Sequence, residues 1–427
     1  MTRLNDCVLL ACILIVHDVS EVTSFGLLKA LVAPPFPRFN RIKDVSPREA
    51  RALDPFAISD FMGLVKQHNY PAEEHNVITI DGYKLVMHRI PSSPNSSPAR
   101  KKPIVFIQHG LMASSDCWVL MGPQKDFAFL LADAGYDVWL GNFRGNTYSR
   151  SHTVLSPEDP NFWQFSFHEM GYYDLPAMWD YVLEQTGQKT LMYVGHSMGT
   201  TAGFILLSLR PEYNKRVKLF VGFAPVAYWR HALFGVQKIA VSNADLIMKT
   251  FTDRGIFELT PQSSMMSRLV TSLCSDVAVT QPACAKAIFA FSGSDYAQLN
   301  LTLIPYISGY YPAGMSLKTL SHYAQTIMSG KFNQYDYGYV SNFAHYNQEE
   351  PPAYDLTKVT APVALFYGLN DFISREEDAK ELVKRLPNVV RSQAVSYRNF
   401  NHIDFIWANE AKQIVYDDVL ELIRRYK

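Results

Sequence analysis

Ser197, Asp371 and His402 are residues whose types and order in this chain suit nucleophilic chemistry. A serine hydroxyl is a poor nucleophile until a base takes its proton. An imidazole base in turn needs an acid to set its tautomer and stabilise its charged form. Ser197 sits in Gly195-His-Ser-Met-Gly199, after the apolar run Leu191-Met-Tyr-Val194 and before the helix-like stretch Thr200 to Arg210. A Gly-x-Ser-x-Gly between strand and helix is a nucleophile elbow, a strained turn that lifts the hydroxyl above a sheet. Its glycines are steric, because a side chain at either position would meet the neighbouring strand or helix. With 22 glycines in the chain the pentapeptide alone says little, and its flanking elements carry the reading.

Where such an elbow tops a sheet, the partners follow in the order acid, then histidine. Four histidines follow Ser197: His231, His322, His345 and His402. Asp371 directly follows the strand-like Ala364-Leu-Phe-Tyr-Gly-Leu-Asn370, and only His402, in Asn401-His-Ile-Asp-Phe405, lies beyond it. Taken singly, Asp371 has a lesser reading as a turn residue and His402 as a surface-loop imidazole; their order behind the elbow makes them acid and base. Asp378 is the fallback acid, expected to be solvated on a charged helical stretch. A tetrahedral oxyanion needs two backbone N–H donors. These are expected from Met198, next after the serine, and from Leu111 in Gln108-His-Gly-Leu-Met112, where Gly110 permits close approach. His109 precedes the nucleophile and is assigned an orienting role. The twelve histidines include no His-Glu-x-x-His, and no Cys-x-x-Cys or acidic calcium loop occurs, so neither metal nor cofactor is implied. Gly141-Asn-Phe-Arg-Gly145 lacks the Lys-Ser/Thr ending and third glycine of a phosphate loop.

The elements that must position these groups follow from apolar patterning. The run Asn76 to Arg89 alternates around Asp81-Gly82, a hairpin signal. Buried-type strands recur at Ile104–Ile107, Tyr136–Leu140, Leu191–Val194 and Leu219–Phe223, separated by helix-length segments. That alternation predicts an α/β fold with a mostly parallel, doubly wound sheet. The rhythm stops between residues 229 and 346, then resumes at Pro362–Gly368 and Ser392–Arg398, with a final helix over Glu410–Tyr426. Residues 25–228 and 347–427 are therefore read as two parts of one core. Residues 229–346 form a largely helical cap and lid inserted over the carboxyl ends of the strands, where open α/β sheets bind ligands. Within it, residues 258–290, with Met265, Met266, Leu269 and Phe289, are expected to be a lid that exposes apolar side chains when open.

Forty basic residues balance forty acidic ones without a long single-sign block, which leaves no footprint for nucleic acid or an anionic membrane. The 48% hydrophobic content supports a large core. Arg3 and the apolar run Cys7 to Val16 fit a secretory signal peptide over residues 1–24; ten apolar residues are too few to span a bilayer. No transmembrane anchor is expected. Cys117, Cys274 and Cys284 remain after the leader; Cys274 and Cys284 could close a short loop in an oxidising compartment, leaving Cys117 unpaired. Asn95-Ser-Ser97 and Asn300-Leu-Thr302 are glycosylation sequons, the first in an exposed Pro/Ser-rich loop.

The chain resembles the acid lipase family of α/β-hydrolases, which includes gastric, lysosomal and arthropod digestive lipases. The resemblance runs through His75–Ile90, Gln108–Ser115, Gly141–Arg150, Gly195–Thr201, Tyr367–Asp371 and Asn401–Trp407. It implies the α/β-hydrolase fold, a Ser197–Asp371–His402 triad, an oxyanion hole of Leu111 and Met198, and a Cys274–Cys284 disulfide in a cap with a movable lid. It implies substrates among triacylglycerols and sterol esters met at a lipid–water interface, with no cofactor and no protein partner. Secretion or lysosomal delivery follows. Met198 departs from the Gln of the vertebrate enzymes and resembles the arthropod type. Two other readings keep the fold: a non-catalytic lipid-binding or storage protein, and a short-chain carboxylesterase without a lid.

Overall fold

The computed structural model describes residues 41–54, 57–96, 101–231 and 241–427, so the expected leader lies outside the described residues. The hairpin forms from Glu73–Ile78 (β1) and Tyr83–Ile90 (β2), paired antiparallel. Gly82 takes φ 95°, a left-handed conformation that favours glycine, and the Thr79 hydroxyl accepts from Tyr83 N–H at 2.9 Å to close the turn. Then follow Ile104–Gln108 (β3), Asp137–Gly141 (β4), the two-residue Ser151–His152 (β5), Leu191–His196 (β6), Val217–Phe223 (β7), Val363–Tyr367 (β8) and Val389–Ala394 (β9). They make a nine-stranded sheet in the order β9-β8-β7-β6-β3-β4-β2-β1, with β5 pairing to β2. Strands β9 to β4 along that order are parallel, and β2 runs antiparallel to β4. Strands β3, β4, β6 and β8 are buried at every position, as strands covered on both faces must be.

Helices Phe127–Asp133 (α1), Leu175–Thr186 (α2) and Met198–Leu209 (α3) make the crossovers after β3, before β6 and after β6. Chain order reverses at β3: it leads to β4 on one side, and β6 then returns to its other side. That switch point opens a crevice at the carboxyl ends of β3 and β6. Between β7 and β8 lie Ala244–Asp253 (α4), Ser264–Cys274 (α5), Gln281–Ser292 (α6), Leu317–Ser329 (α7) and Tyr339–Tyr346 (α8). This segment has small cores of its own, one of Phe251, Ile256, Leu259, Met315 and Leu317, another around Cys274, Ala285, Phe289, Leu299 and Ile304. Cys274 is bonded to Cys284, tying α5 to α6, while Cys117 is a free buried thiol whose pKa burial raises. Phe289 is buried and Leu269 exposed; the side chains of Met265 and Met266 lie outside the described residues.

Glu376–Arg385 (α9) joins β8 to β9, and Asp417–Arg424 (α10) closes the chain. The expected final helix is present over residues 411–424, with Lys412–Tyr416 wound as a wider π turn that runs directly into α10. Arg144, in the rejected glycine-rich stretch, is a buried clamp. Its guanidinium binds Asp81 of the hairpin turn at 2.6 and 2.9 Å and Asp174 at 2.7 and 2.6 Å, stacked 4.0 Å from the Tyr83 ring.

Candidate active site

The elbow is built where β6 ends. Ser197 takes φ 52° and ψ −118°, a conformation that non-glycine residues rarely adopt, which lifts its side chain out of the strand direction at the start of α3. The turn leaves no room at its glycines. A Cβ on Gly195 would stand 2.8 Å from Gly199 C, and one on Gly199 would stand 2.6 Å from the Gln108 carbonyl oxygen. The elbow therefore packs directly on the end of β3, which brings the Leu111 loop to the serine.

The three sequence-chosen residues meet. His402 Nε2 lies 2.9 Å from Ser197 Oγ, and His402 Nδ1 lies 2.9 Å from Asp371 Oδ2. All three are buried, at 7%, 4% and 5% exposure for Ser197, Asp371 and His402, which strengthens each charge-assisted contact. Asp371 Oδ1 accepts from the backbone N–H groups of Ile373 and Ser374 at 2.7 and 2.8 Å. That leaves Oδ2 for the imidazole, so the proton belongs on Nδ1 and the Nε2 lone pair faces the serine.

His109 is tied into the loop after β3 that carries Leu111. Its Nε2 accepts from the N–H of Phe143 at 3.2 Å, so its proton sits on Nδ1, which donates to the Gly110 carbonyl at 2.8 Å. Burial lowers its pKa to about 4 and keeps it neutral. In a trans peptide the Leu111 N–H points opposite to the Gly110 carbonyl, away from His109. Gly110 itself fits against the serine, since a Cβ there would be 3.1 Å from Ser197 Cβ. Met198 opens α3, where a backbone N–H has no acceptor within the helix. Among the described residues, neither the Leu111 nor the Met198 N–H is bonded to a backbone carbonyl.

Other residues of the site escaped sequence reasoning. His196, the variable residue of the elbow, donates from Nε2 to the His402 carbonyl at 3.0 Å, and burial holds its pKa down to about 3. Asn401 donates to the Gly293 carbonyl at 2.9 Å, and His402 N–H reaches the Ser292 carbonyl at 3.3 Å. A Cβ on Gly293 would overlap the Asn370 carbonyl at 1.8 Å, so the end of α6 sits on the acid loop as well. The pairing of Asn401 with His402 was visible in the sequence, but its partner lies 108 residues away. Asp378 is not solvated. It is buried on α9 and accepts from Arg230 N–H at 3.0 Å and pairs with His231 Nδ1 at 2.8 Å, because the helix turns that residue inward beneath the chain leaving β7. His322 and His345 lie on α7 and α8 and do not join the triad.

Asn95 is exposed, with Ser97 of its sequon outside the described residues, and Asn300 caps a short turn, accepting from Thr302 N–H at 3.1 Å. No group of three or more potential metal ligands occurs among the described residues.

Comparisons with known proteins place the fold and the family. The alpha/beta hydrolase fold profile matches residues 103–409, and a partial alpha/beta-hydrolase lipase region matches residues 61–122. Human gastric triacylglycerol lipase is 40% identical over 85% of this chain and 90% of its own length. Lipase 3 of Drosophila melanogaster is 39% identical over 87% of the chain and 94% of its length. A putative lysosomal acid lipase/cholesteryl ester hydrolase of Crotalus adamanteus is 37% identical over 88% and 94%. Among solved structures, a putative lipase from Sulfolobus solfataricus superposes with TM-score 0.52 at 11% identity, covering 81% of this chain and 90% of that one.

Proposed function

We propose, from the premise that this chain belongs to the α/β-hydrolase lipase family of the gastric and lysosomal acid lipases, that it cleaves neutral lipid esters through an acyl-enzyme on Ser197. The observation that carries the assignment is the unbroken run Asp371 Oδ2 to His402 Nδ1 and His402 Nε2 to Ser197 Oγ, each step 2.9 Å. Ser197 Oγ attacks the ester carbonyl as His402 Nε2 takes its proton, and Asp371 stabilises the resulting imidazolium. Leu111 and Met198 N–H groups hold the oxyanion, a contribution of about 10²–10³ in rate per donor. The imidazolium returns its proton to the departing alcohol, glycerol-type or sterol. Water then repeats the sequence to release the fatty acid.

Residues 229–346 serve as a cap, with residues 258–290 as its lid. Leu269 and Leu273, one turn apart on α5, and Val277 and Val279 beyond it stand exposed, apolar surface suited to a lipid–water interface. No helix among the described residues is long and apolar enough to cross a membrane. The leader-like N-terminus and the Cys274–Cys284 bond favour the secretory pathway, ending in secretion or the lysosome, with Asn95 and Asn300 as glycosylation candidates. A non-catalytic lipid binder has no need of an activated serine, so the base within hydrogen-bonding distance of Ser197 favours the enzyme.

The test uses trioleoylglycerol and cholesteryl oleate emulsions, with a fluorophosphonate probe for the serine. The wild type turns over at least one emulsion and is labelled; Ser197→Ala folds, resists labelling and loses about 10⁶ in kcat. Undiminished turnover in Ser197→Ala refutes the nucleophile. Activity confined to monomeric short-chain esters favours the carboxylesterase reading.

A further inference from the structure

Beside the triad lies a second pair of acids that the reaction scheme does not use. Asp404, two residues beyond His402, is fully buried, and Asp295, just past the end of α6, is 2% exposed. Asp404 Oδ2 accepts from Asn401 N–H at 2.7 Å. Asp295 Oδ1 accepts from Ala297 and Gln298 N–H and from the Tyr397 hydroxyl, each at 3.2 Å. The other two oxygens, Asp404 Oδ1 and Asp295 Oδ2, are buried with no donor, and the two carboxyls are within side-chain hydrogen-bonding reach of one another. Neither makes an ion pair among the described residues. The ionisable groups set against them are Asp371, whose charge opposes a second anion, Tyr397, and His402, which is committed to Asp371 and Ser197. Two facing carboxylates in so dry a place cannot both stay charged; a single shared proton satisfies both orphan oxygens.

The pair stands at a joint. On one side are Ser292, Gly293 and Asp295 at the end of α6; on the other are Asn401, His402 and Asp404. Across it run the Asn401 amide to the Gly293 carbonyl and the His402 N–H to the Ser292 carbonyl. The joint therefore sets where the imidazole stands relative to Ser197.

We propose that Asp404 and Asp295 share one proton across this joint and that the protonated pair is a positioning device for His402. The inference rests on His402 being the base. Asp404 touches no reacting atom; it acts through the Asn401 backbone and the loop that follows. Burial first, and then the neighbouring Asp295, hold the Asp404 proton well above the usual carboxylate range. A raised folded-state pKa means the contribution is complete below the unfolded value and is lost as pH rises through the folded one. Deprotonation puts two like charges face to face, parts the α6 end from the histidine loop and draws Nε2 away from Ser197. Activity then falls on the alkaline side for a reason outside the triad.

The experiment measures kcat and KM on a soluble ester from acid to alkaline pH for wild type, Asp404→Asn, Asp295→Asn, Asp404→Ala and His402→Ala, with active sites counted by fluorophosphonate. An asparagine amide is a donor that cannot be titrated. Asp404→Asn therefore retains the acid-side rate and carries its alkaline limb upward by about one pH unit or more. Asp295→Asn supplies the same donor from the other side and shows the same shift, which keeps the test decisive if Asp404→Ala does not fold. Where it folds, Asp404→Ala loses roughly 10–10² in kcat with KM little changed, the scale of a misplaced catalytic group. An alkaline limb in both asparagine variants that superimposes on wild type overturns the proposal, as does Asp404→Asn being as slow as Asp404→Ala at acid pH. An active His402→Ala overturns the base assignment beneath it, so the two failures are distinguishable.

Discussion

Replacing Gly199 with alanine tests how the oxyanion site is held together. A Cβ on Gly199 would lie 2.6 Å from the Gln108 carbonyl oxygen and 3.1 Å from that of His109, both backbone atoms that cannot rotate away. To reach ordinary contact, the start of α3 or the end of β3 must recede by roughly 0.5–1 Å. Met198 stands on the first element and Leu111 on the loop after the second, so the displacement opens the gap between the two N–H donors. Overpacking of this kind costs about 1–3 kcal/mol of stability. A misplacement near 1 Å at reacting groups costs up to about 10² in rate, so kcat should fall about 10–10²-fold with KM nearly unchanged. The assay is kcat on a soluble ester, normalised to fluorophosphonate-titrated sites, together with a thermal melt. Gly135→Ala is the control: Gly135 has φ 88° and nothing within 4 Å of its Cβ position, so the substitution adds backbone strain away from the site. Equal kcat in the two variants would show that the close approach of elbow and oxyanion loop is not what the glycine serves.

Two further perturbations address the supports of the fold. Arg144→Met removes the partner of fully buried Asp174, whose pKa burial already raises to about 6; urea unfolding should show a loss of about 3–5 kcal/mol, and an unchanged midpoint refutes the clamp. His322 is neutral, its pKa pushed down to about 3 by burial, with Nδ1 facing Ser166 Oγ at 2.9 Å and Nε2 facing the Asn333 carbonyl at 3.0 Å. A depressed histidine pKa means that the unfolded chain takes up the proton first, so stability falls as pH drops below the ordinary value of about 6.5, by about 2 kcal/mol at pH 5. His322→Gln should therefore narrow the gap in melting temperature between pH 7 and pH 5, and an unaltered gap contradicts its buried, neutral state.

Much of the site was legible because its chemistry imposes local sequence rules. The elbow needs glycines on both sides of Ser197, and an apolar strand before it, all within a short stretch. The acid must end a strand, and only one histidine follows Asp371, so order alone picked out His402. The parallel sheet was legible for the same reason: strands buried on both faces are written as continuous apolar runs, whatever they pack against. The solvated face expected for Asp378 was wrong because a charged helix still turns one residue per turn inward, and the chain leaving β7 covers that one.

What the linear order does not contain is which distant segments share a joint. The sequence by itself put forward Ser197, Asp371 and His402 as nucleophile, acid and base, Leu111 and Met198 as backbone donors, and the strand–helix rhythm that brings them to the carboxyl ends of the strands. Tertiary structure decided that Gly293 at the end of α6 seats on Asn370, that Ser292 holds the His402 backbone, and that Asp295 faces Asp404 across the same joint. Those contacts depend on close packing between segments far apart in the chain. Local patterning constrains each segment alone; only their burial against one another makes a carboxyl share its proton or a glycine indispensable.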